Sequence, residues 1–197
     1  MEKHTVSASL TDNTKYMNRA LPVKKSFDII ERNLIIGGQN SAFYFIDGFT
    51  KDETMLKLMD SFLNISADDM PEEATAVATS CIPYVEVDIL GDFDSIFKNL
   101  LSGVTCLFID GYEAAIAIDC RTYPSRSIEE PDKDKSLRGS RDGFVETIVF
   151  NTALMRRRIR DPHLIMEMYE AGTSTRTDVA LCYMSDRVDR ELLTTIQ

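Results

Sequence analysis

Val104-Thr105-Cys106-Leu107-Phe108-Ile109-Asp110-Gly111-Tyr112-Glu113-Ala114-Ala115-Ile116-Ala117-Ile118 is the stretch that decides the fold. Two apolar runs meet at Asp110-Gly111, a dipeptide whose backbone readily takes the positive φ angles of a tight hairpin turn. Residues 104–109 and 112–118 are therefore expected to be paired antiparallel strands.

Moving upstream, Asp92 is placed to cap a short helix that carries Ile96, Phe97, Leu100 and Leu101 and stops at Gly103. Residues 84–89 alternate as a strand, and Pro71 opens an alanine-rich helix reaching Ser80. Thr50-Lys51-Asp52-Glu53 has the spacing of a capping box, and Met55, Leu58, Met59 and Phe62 follow on one helical face. Leu34-Ile35-Ile36 and residues 41–46 flank Gly37-Gly38-Gln39-Asn40, which predicts another hairpin. Phe27 and Ile30 suggest a short helix over 24–33, and residues 1–22 are polar enough to be a flexible leader ending at Pro22.

Downstream, residues 122–142 are rich in Pro, Ser and alternating charge and read as a connector. Val145, Ile148, Val149, Thr152, Met155 and Ile159 define a helix over 144–159, ended by Asp161-Pro162 because the residue before proline is pushed out of the helical region. Residues 165–170 and 177–184 form a hairpin around Ala171-Gly172-Thr173, and Asp186 is placed to cap a last helix. Helix, hairpin, acidic cap and helix thus occur at 24–63 and again at 144–197, which reads as an internal structural repeat. The fold class that emerges is mixed α/β (α+β-like). It has two small subdomains, each a mixed β-sheet flanked by helices, with the second incomplete at its C-terminal end. The expected divisions are a leader (1–22), a first subdomain (23–120), a connector (121–143) and a second subdomain (144–197).

The chain has 197 residues, 44% of them hydrophobic and 27% charged, as in ordinary globular domains. Its formal net charge of −10 argues against nucleic-acid binding, which needs a basic footprint to displace counterions. Cys81, Cys106, Cys120 and Cys182 form no CxxC pair and read as reduced, buried thiols; a Cys106–Cys120 pairing across the hairpin is the alternative. No run approaches the roughly 18 apolar residues of a membrane span, and the N-terminus lacks an apolar leader core. The chain is thus expected to be soluble as given.

Chemistry-bearing constellations are sparse. His4 and His163 lack partners at metal-ligand spacing, so no metal is expected, and no phosphate-binding or nucleophile-elbow motif occurs. Asp47 and Asp110 both sit in a Phe-Ile-Asp-Gly frame, but cap and turn roles fit them better than an acid pair. Arg138, Gly139 and Arg141, before the 144–159 helix, are the candidate ligand-binding residues: helix-start amides and forked guanidinium donors suit carboxylate or phosphate. Arg156, Arg157, Arg158 and Arg160 are the candidate partner- or membrane-facing residues, at a helix end where positive charge suits the dipole.

Residues 119–162, with Leu137-Arg138-Gly139-Ser140-Arg141 and Arg156-Arg157-Arg158-Ile159-Arg160, resemble the N-terminal domain of A subunits of the GerA family of spore germination proteins. Tyr44-Phe45-Ile46-Asp47-Gly48-Phe49, Leu107-Phe108-Ile109-Asp110-Gly111-Tyr112 and Asp178-Val179-Ala180-Leu181-Cys182-Tyr183-Met184 carry the same likeness, which runs from Ser26 to Leu193. The resemblance implies a non-enzymatic domain without a cofactor, on the spore-core side of a spore inner-membrane protein. It would act in subunit assembly and signal coupling during germination, with itself or other germination membrane proteins as partners. The alternative it implies is a sensor that holds a small-molecule germinant between subdomains, near residues 121–143. Together with the repeat, it implies that strand and helix follow Gln197 in the intact protein.

Overall fold

Apolar side chains on both faces of the 104–118 hairpin require cover on both faces, and the chain supplies helices for each. The computed structural model describes residues 4–82, 86–122 and 143–197. Its elements are α1 (Leu10–Ala20), β1 (Ile29–Ile36), β2 (Gln39–Ile46), α2 (Asp52–Leu63), α3 (Ala74–Ser80), β3 (Glu86–Leu90), α4 (Phe93–Leu101), β4 (Thr105–Ile109), β5 (Ala115–Asp119), α5 (Ile148–Arg158), β6 (Leu164–Ala171), β7 (Thr177–Met184) and α6 (Arg190–Ile196). The first five strands form one sheet in the order β1-β2-β4-β5-β3. Every pairing in it is antiparallel.

Successive strand residues point to opposite faces, so one strand feeds two cores. On one face Ala42, Tyr44 and Ile46 of β2 and Cys106 and Phe108 of β4 meet Met17 of α1 and Phe93, Ile96 and Leu100 of α4. On the other, Phe43, Leu107, Ile109, Ile116 and Ile118 meet Leu58, Met59 and Phe62 of α2 and Val77 of α3. The result is a three-layer unit, helices–sheet–helices. Each fully buried side chain of this size contributes about 1.5–3 kcal/mol by leaving water, and β4 is buried along its whole length.

The remaining sheet is the hairpin β6–β7, paired antiparallel from Leu164↔Met184 to Ala171↔Thr177. Leu164, Ile165 and Met166 at its base are buried, while Met168 to Ala171 and Thr177 to Val179 are exposed. α5 packs against β7.

The mixed α/β class is as the sequence indicated, but both sheets are antiparallel throughout rather than mixed. The order α1–β1–β2–α2 recurs as α5–β6–β7–α6. The helix expected over 24–33 does not form: residues 22–28 turn and β1 begins at Ile29. Ile29, Ile30, Leu34, Ile35 and Ile36 are favoured in strands, and the two-residue turn at Gly37-Gly38, with φ of 53° and 78°, lets the hairpin pair over its full length. The helix of the first half lies instead in the supposed flexible leader. Ser9 caps α1 by accepting from the Asp12 amide, and Met17 and Leu21 enter the core.

Caps differ as well. Lys51, not Thr50, is the N-cap of α2 and makes no side-chain cap bond. Thr50 instead forms an antiparallel bridge with Arg121. Asp189 rather than Asp186 caps α6, accepting from the Glu191 and Leu192 amides. All four cysteines are free thiols. Among the described residues, no helix is long and apolar enough to cross a membrane.

Candidate functional site

α5 presents Thr152, Ala153 and Arg156 inward, at the spacing of one helical stripe. A charged residue on a buried stripe must find a partner, because an unpaired buried charge is far too costly. Arg156 finds it in Asp28, on the turn between α1 and β1. The Arg156 Nε donates to Asp28 Oδ2 at 2.7 Å and Nη2 donates to Oδ1 at 3.3 Å, a forked pair whose side chains are 0% and 2% exposed. The same guanidinium donates from Nη1 to the Asp161 carbonyl at 3.0 Å and from Nη2 to the Leu164 carbonyl at 2.9 Å.

The turn around Asp28 is tied to β6 as well. Ser26 Oγ donates to Asp28 Oδ1 at 2.5 Å and accepts from the Met166 amide at 2.9 Å. The Phe27 amide donates to the Met166 carbonyl at 2.9 Å, and the Asp28 carbonyl accepts from the Asp47 amide at 2.8 Å. Residues 26–28 thus join the end of β2, the inward face of α5 and the base of β6. Close by, Gly48 (φ 76°) allows α5 to approach: a Cβ there would lie 3.2 Å from the Ala153 Cβ and 3.3 Å from the Val149 Cγ1.

A second polar group grips the other face of the hairpin. Glu167 of β6 accepts from Tyr169 Oη at 2.5 Å, Tyr183 Oη at 3.0 Å and Gln197 Nε2 at 2.7 Å. Lys25 Nζ lies 3.3 Å from its carboxylate and 5.4 Å from the centre of the Tyr183 ring. Burial works against ionisation of Glu167, yet the donors of Tyr169, Tyr183, Gln197 and Lys25 prevail and hold its carboxyl below the usual range. Consecutive residues Lys25 and Ser26 therefore engage β6 differently: Lys25 meets the Glu167 side chain, and Ser26 meets the backbone amide of Met166.

This geometry holds parts of the fold together. Burial pushes the Cys182 thiol up, with Asp28 adding to that effect and Arg156 opposing it, so the sulfur stays protonated at neutral pH. The Cys106 thiol is pushed up to about 12 by burial alone. Among the described residues, no group of three or more His, Cys, Asp or Glu is placed to hold a metal ion.

Of the sequence-derived candidates, Arg138, Gly139 and Arg141 lie outside the described residues, as does most of the 121–143 connector beside which a germinant cleft was expected. Arg156 does not face a partner or a membrane: it is fully buried, because it falls on the inward stripe with Thr152 and Ala153. Arg157, Arg158 and Arg160 are exposed. Asp47 and Asp110 do not converge, since antiparallel pairing sets the Asp110 amide on the Asn40 carbonyl, at the opposite end of β2 from Asp47. Asp110 Oδ1 instead accepts from the Leu10 amide at the start of α1. His4 stacks on Tyr16 with ring centroids 4.2 Å apart, and His163 bonds Asp161. Ser26, Asp28, Lys25 and Glu167 were missed by sequence reasoning; the available signal was the lone acid of Phe27-Asp28-Ile29 and a basic residue in phase with Thr152.

A family model described as "Bacillus/Clostridium GerA spore germination protein" matches residues 15–197. Stage V sporulation protein AF of Bacillus subtilis (strain 168) is 33% identical over 197 residues, which is all of this chain and 40% of that protein. The uncharacterized membrane protein YfkQ of the same strain is 29% identical over 190 residues, covering 95% of this chain and 36% of that protein. The chain therefore spans about two fifths of the length of these relatives. The crystal structure of the N-terminal domain of the A subunit of the Bacillus megaterium spore germinant receptor GerK3 shares the fold. Its TM-score is 0.74 at 20% identity, over 100% of this chain and 72% of that one. With a match that runs from α1 to its last residue, this chain belongs to the GerA family of spore germination proteins.

Proposed function

We propose that this chain is the assembly and signal-coupling domain of a spore inner-membrane germination protein, placed on the spore-core side and acting without turnover. Other copies of itself, or other germination membrane proteins, would be its partners. The observation that carries the reading is the buried Arg156–Asp28 clasp, through which the three-layer unit and the β6–β7 unit meet. A joint of this kind has discrete arrangements rather than a continuum, since a buried charge pair is either made or broken at a cost of several kcal/mol. Movement imposed on one unit would reach the other through residues 25–28. Family membership and the relative described as a membrane protein support the setting.

The test is made in the intact protein, in spores. Asp28→Asn keeps the shape of the clasp but removes its charge, and immunodetection in the spore membrane fraction establishes that the variant accumulates. Slowed germination at normal protein level is the expected result. Normal germination, with the hairpin shown to be loosened in the purified domain, would sink the coupling role. A saturable rise in the unfolding midpoint with one amino acid, sugar or nucleoside would replace it with ligand sensing.

A further inference from the structure

The Met166 amide and carbonyl are held by Ser26 Oγ and the Phe27 amide, so they point away from β7. Antiparallel ladders alternate, so the odd-numbered residues carry the bonds between β6 and β7, in step with the Ser185 amide on the His163 carbonyl. The N–H and C=O groups of Asp178, Ala180 and Cys182 therefore face outward from β7, and among the described residues no strand pairs with them. The first unit fills the matching edge. Asn40, Ala42 and Tyr44 of β2 point outward in the same phase, and β4 lies antiparallel against them, with the Asp110 amide on the Asn40 carbonyl. Phe43 and Tyr44 are fully buried as a result, whereas Val179 of β7 is 44% exposed.

Charged side chains on an edge strand discourage the addition of another strand. β1 carries Glu31 and Arg32, and β3 carries Glu86 and Asp88. The outer edge of β6 is occupied at Met166 by residues 26 and 27. Val179-Ala180-Leu181-Cys182-Tyr183 of β7 has no such guard.

We propose that this edge pairs antiparallel with the same edge of a second copy, giving a four-stranded sheet in the order β6–β7–β7–β6. The inference rests on the assembly reading above and names the surface and the partner. The edge is self-complementary: a two-fold axis at Ala180 is the one register that pairs the three outward residues with each other. Ala180 meets its own copy, and Asp178 meets the partner's Cys182. Val179 then lies beside the partner's Leu181, an apolar pair across strands. Registers centred on Asp178 or Cys182 set Asp178 against the partner's Asp178 or Asp186, where like charges repel. Antiparallel pairing also sends the two hairpin bases, each held by Arg156 at Leu164, to opposite ends of the new sheet. The exposed tip of each hairpin comes to rest beside the partner's base.

Sedimentation equilibrium of the 197-residue chain should show a dimer fraction that rises with concentration and, because the net charge is −10, with salt. Ala180→Pro removes the central outward N–H without removing a β6–β7 bond, and should raise the dimer dissociation constant about tenfold or more. Asn33→Pro, the corresponding change on the outer edge of β1, should leave it as it was, and far-ultraviolet circular dichroism checks that each variant is folded. Directly opposed Cα atoms of this kind lie about 5.5 Å apart, within disulfide reach. Asp178→Cys should therefore cross-link to the partner's Cys182 on mild oxidation, and adding Cys182→Ser should abolish the product. The intact protein in spore membranes should give the same cross-link. A monomer at every concentration, or a dimer that survives Ala180→Pro in a folded chain, would overturn the proposal. So would a cross-link made by the 197-residue chain and absent in spore membranes, which would assign the edge to another strand of the intact protein. None of these results bears on the Asp28→Asn test, so the coupling role stands or falls separately.

Discussion

The five-stranded unit and the β6–β7 unit use the same order of helix, hairpin and helix, yet they are held by different forces. β4 is buried at every position, while β7 has exposed residues from Thr177 to Val179 and none that is fully buried. In the first unit, apolar helices cover both faces of the sheet and polar side chains serve caps and turns. In the second, the hairpin base is gripped by charge: Arg156 with Asp28 on one face, Lys25 with Glu167 on the other. The difference teaches that a small sheet short of apolar cover can be secured by a few buried polar contacts, and that such contacts make a joint rather than a core.

The largest effect should come from the apolar side. Phe108→Ala empties a site that is 1% exposed at the centre of the first core and should destabilise the whole domain by about 4 kcal/mol, read as a lower urea midpoint. Next is the clasp: Arg156→Leu leaves Asp28 buried without its partner and should cost about 3 kcal/mol. The double change Asp28→Leu with Arg156→Leu should recover most of that loss, because no unpaired charge remains. If the double variant is as unstable as the single one, burial of shape rather than of charge governs the joint.

Gly48→Ala tests the approach of α5 to the end of β2. The residue sits at a φ of 76°, and its new Cβ would press on Ala153 and Val149, so a loss of about 2 kcal/mol in thermal stability is expected. The smallest effect belongs to Glu167→Gln, about 1 kcal/mol at neutral pH. Its sign with pH is fixed by the lowered carboxyl of Glu167. A depressed carboxylate stabilises the fold fully above the unfolded value of about 4.3, and that contribution disappears as pH falls through the folded value. Wild type and Glu167→Gln should therefore differ at pH 6 and converge in acid. A gap that stays constant below that range would remove the charged network from the explanation.

Much of the first unit was legible in the sequence because its signals are local. Asp110-Gly111, the Asp92 cap and the stripe Leu58–Met59–Phe62 each lie within a few residues of what they specify. α1 was missed because its polar run buries only Asn13 and Met17, too sparse a stripe to separate from a leader. The 24–33 segment misled because Phe27 and Ile30 mimic helical spacing in a stretch whose apolar residues belong to a strand. The clasp was illegible for a different reason: its partners are 128 residues apart, so no local pattern joins them. Four arginines in a row of five look alike in composition, and only the phase set by Thr152 and Ala153 singles out Arg156.

The most direct test of the central claim, that residues 25–28 fasten the hairpin unit to the three-layer unit through buried charge, is amide hydrogen exchange on the Arg156→Leu variant beside the wild type. Exchange should accelerate together at Phe27, at Met166 and along β6–β7, while the amides of β4 and β5 keep their wild-type protection. Acceleration spread evenly over both sheets, or a hairpin that exchanges as slowly as before, would contradict it.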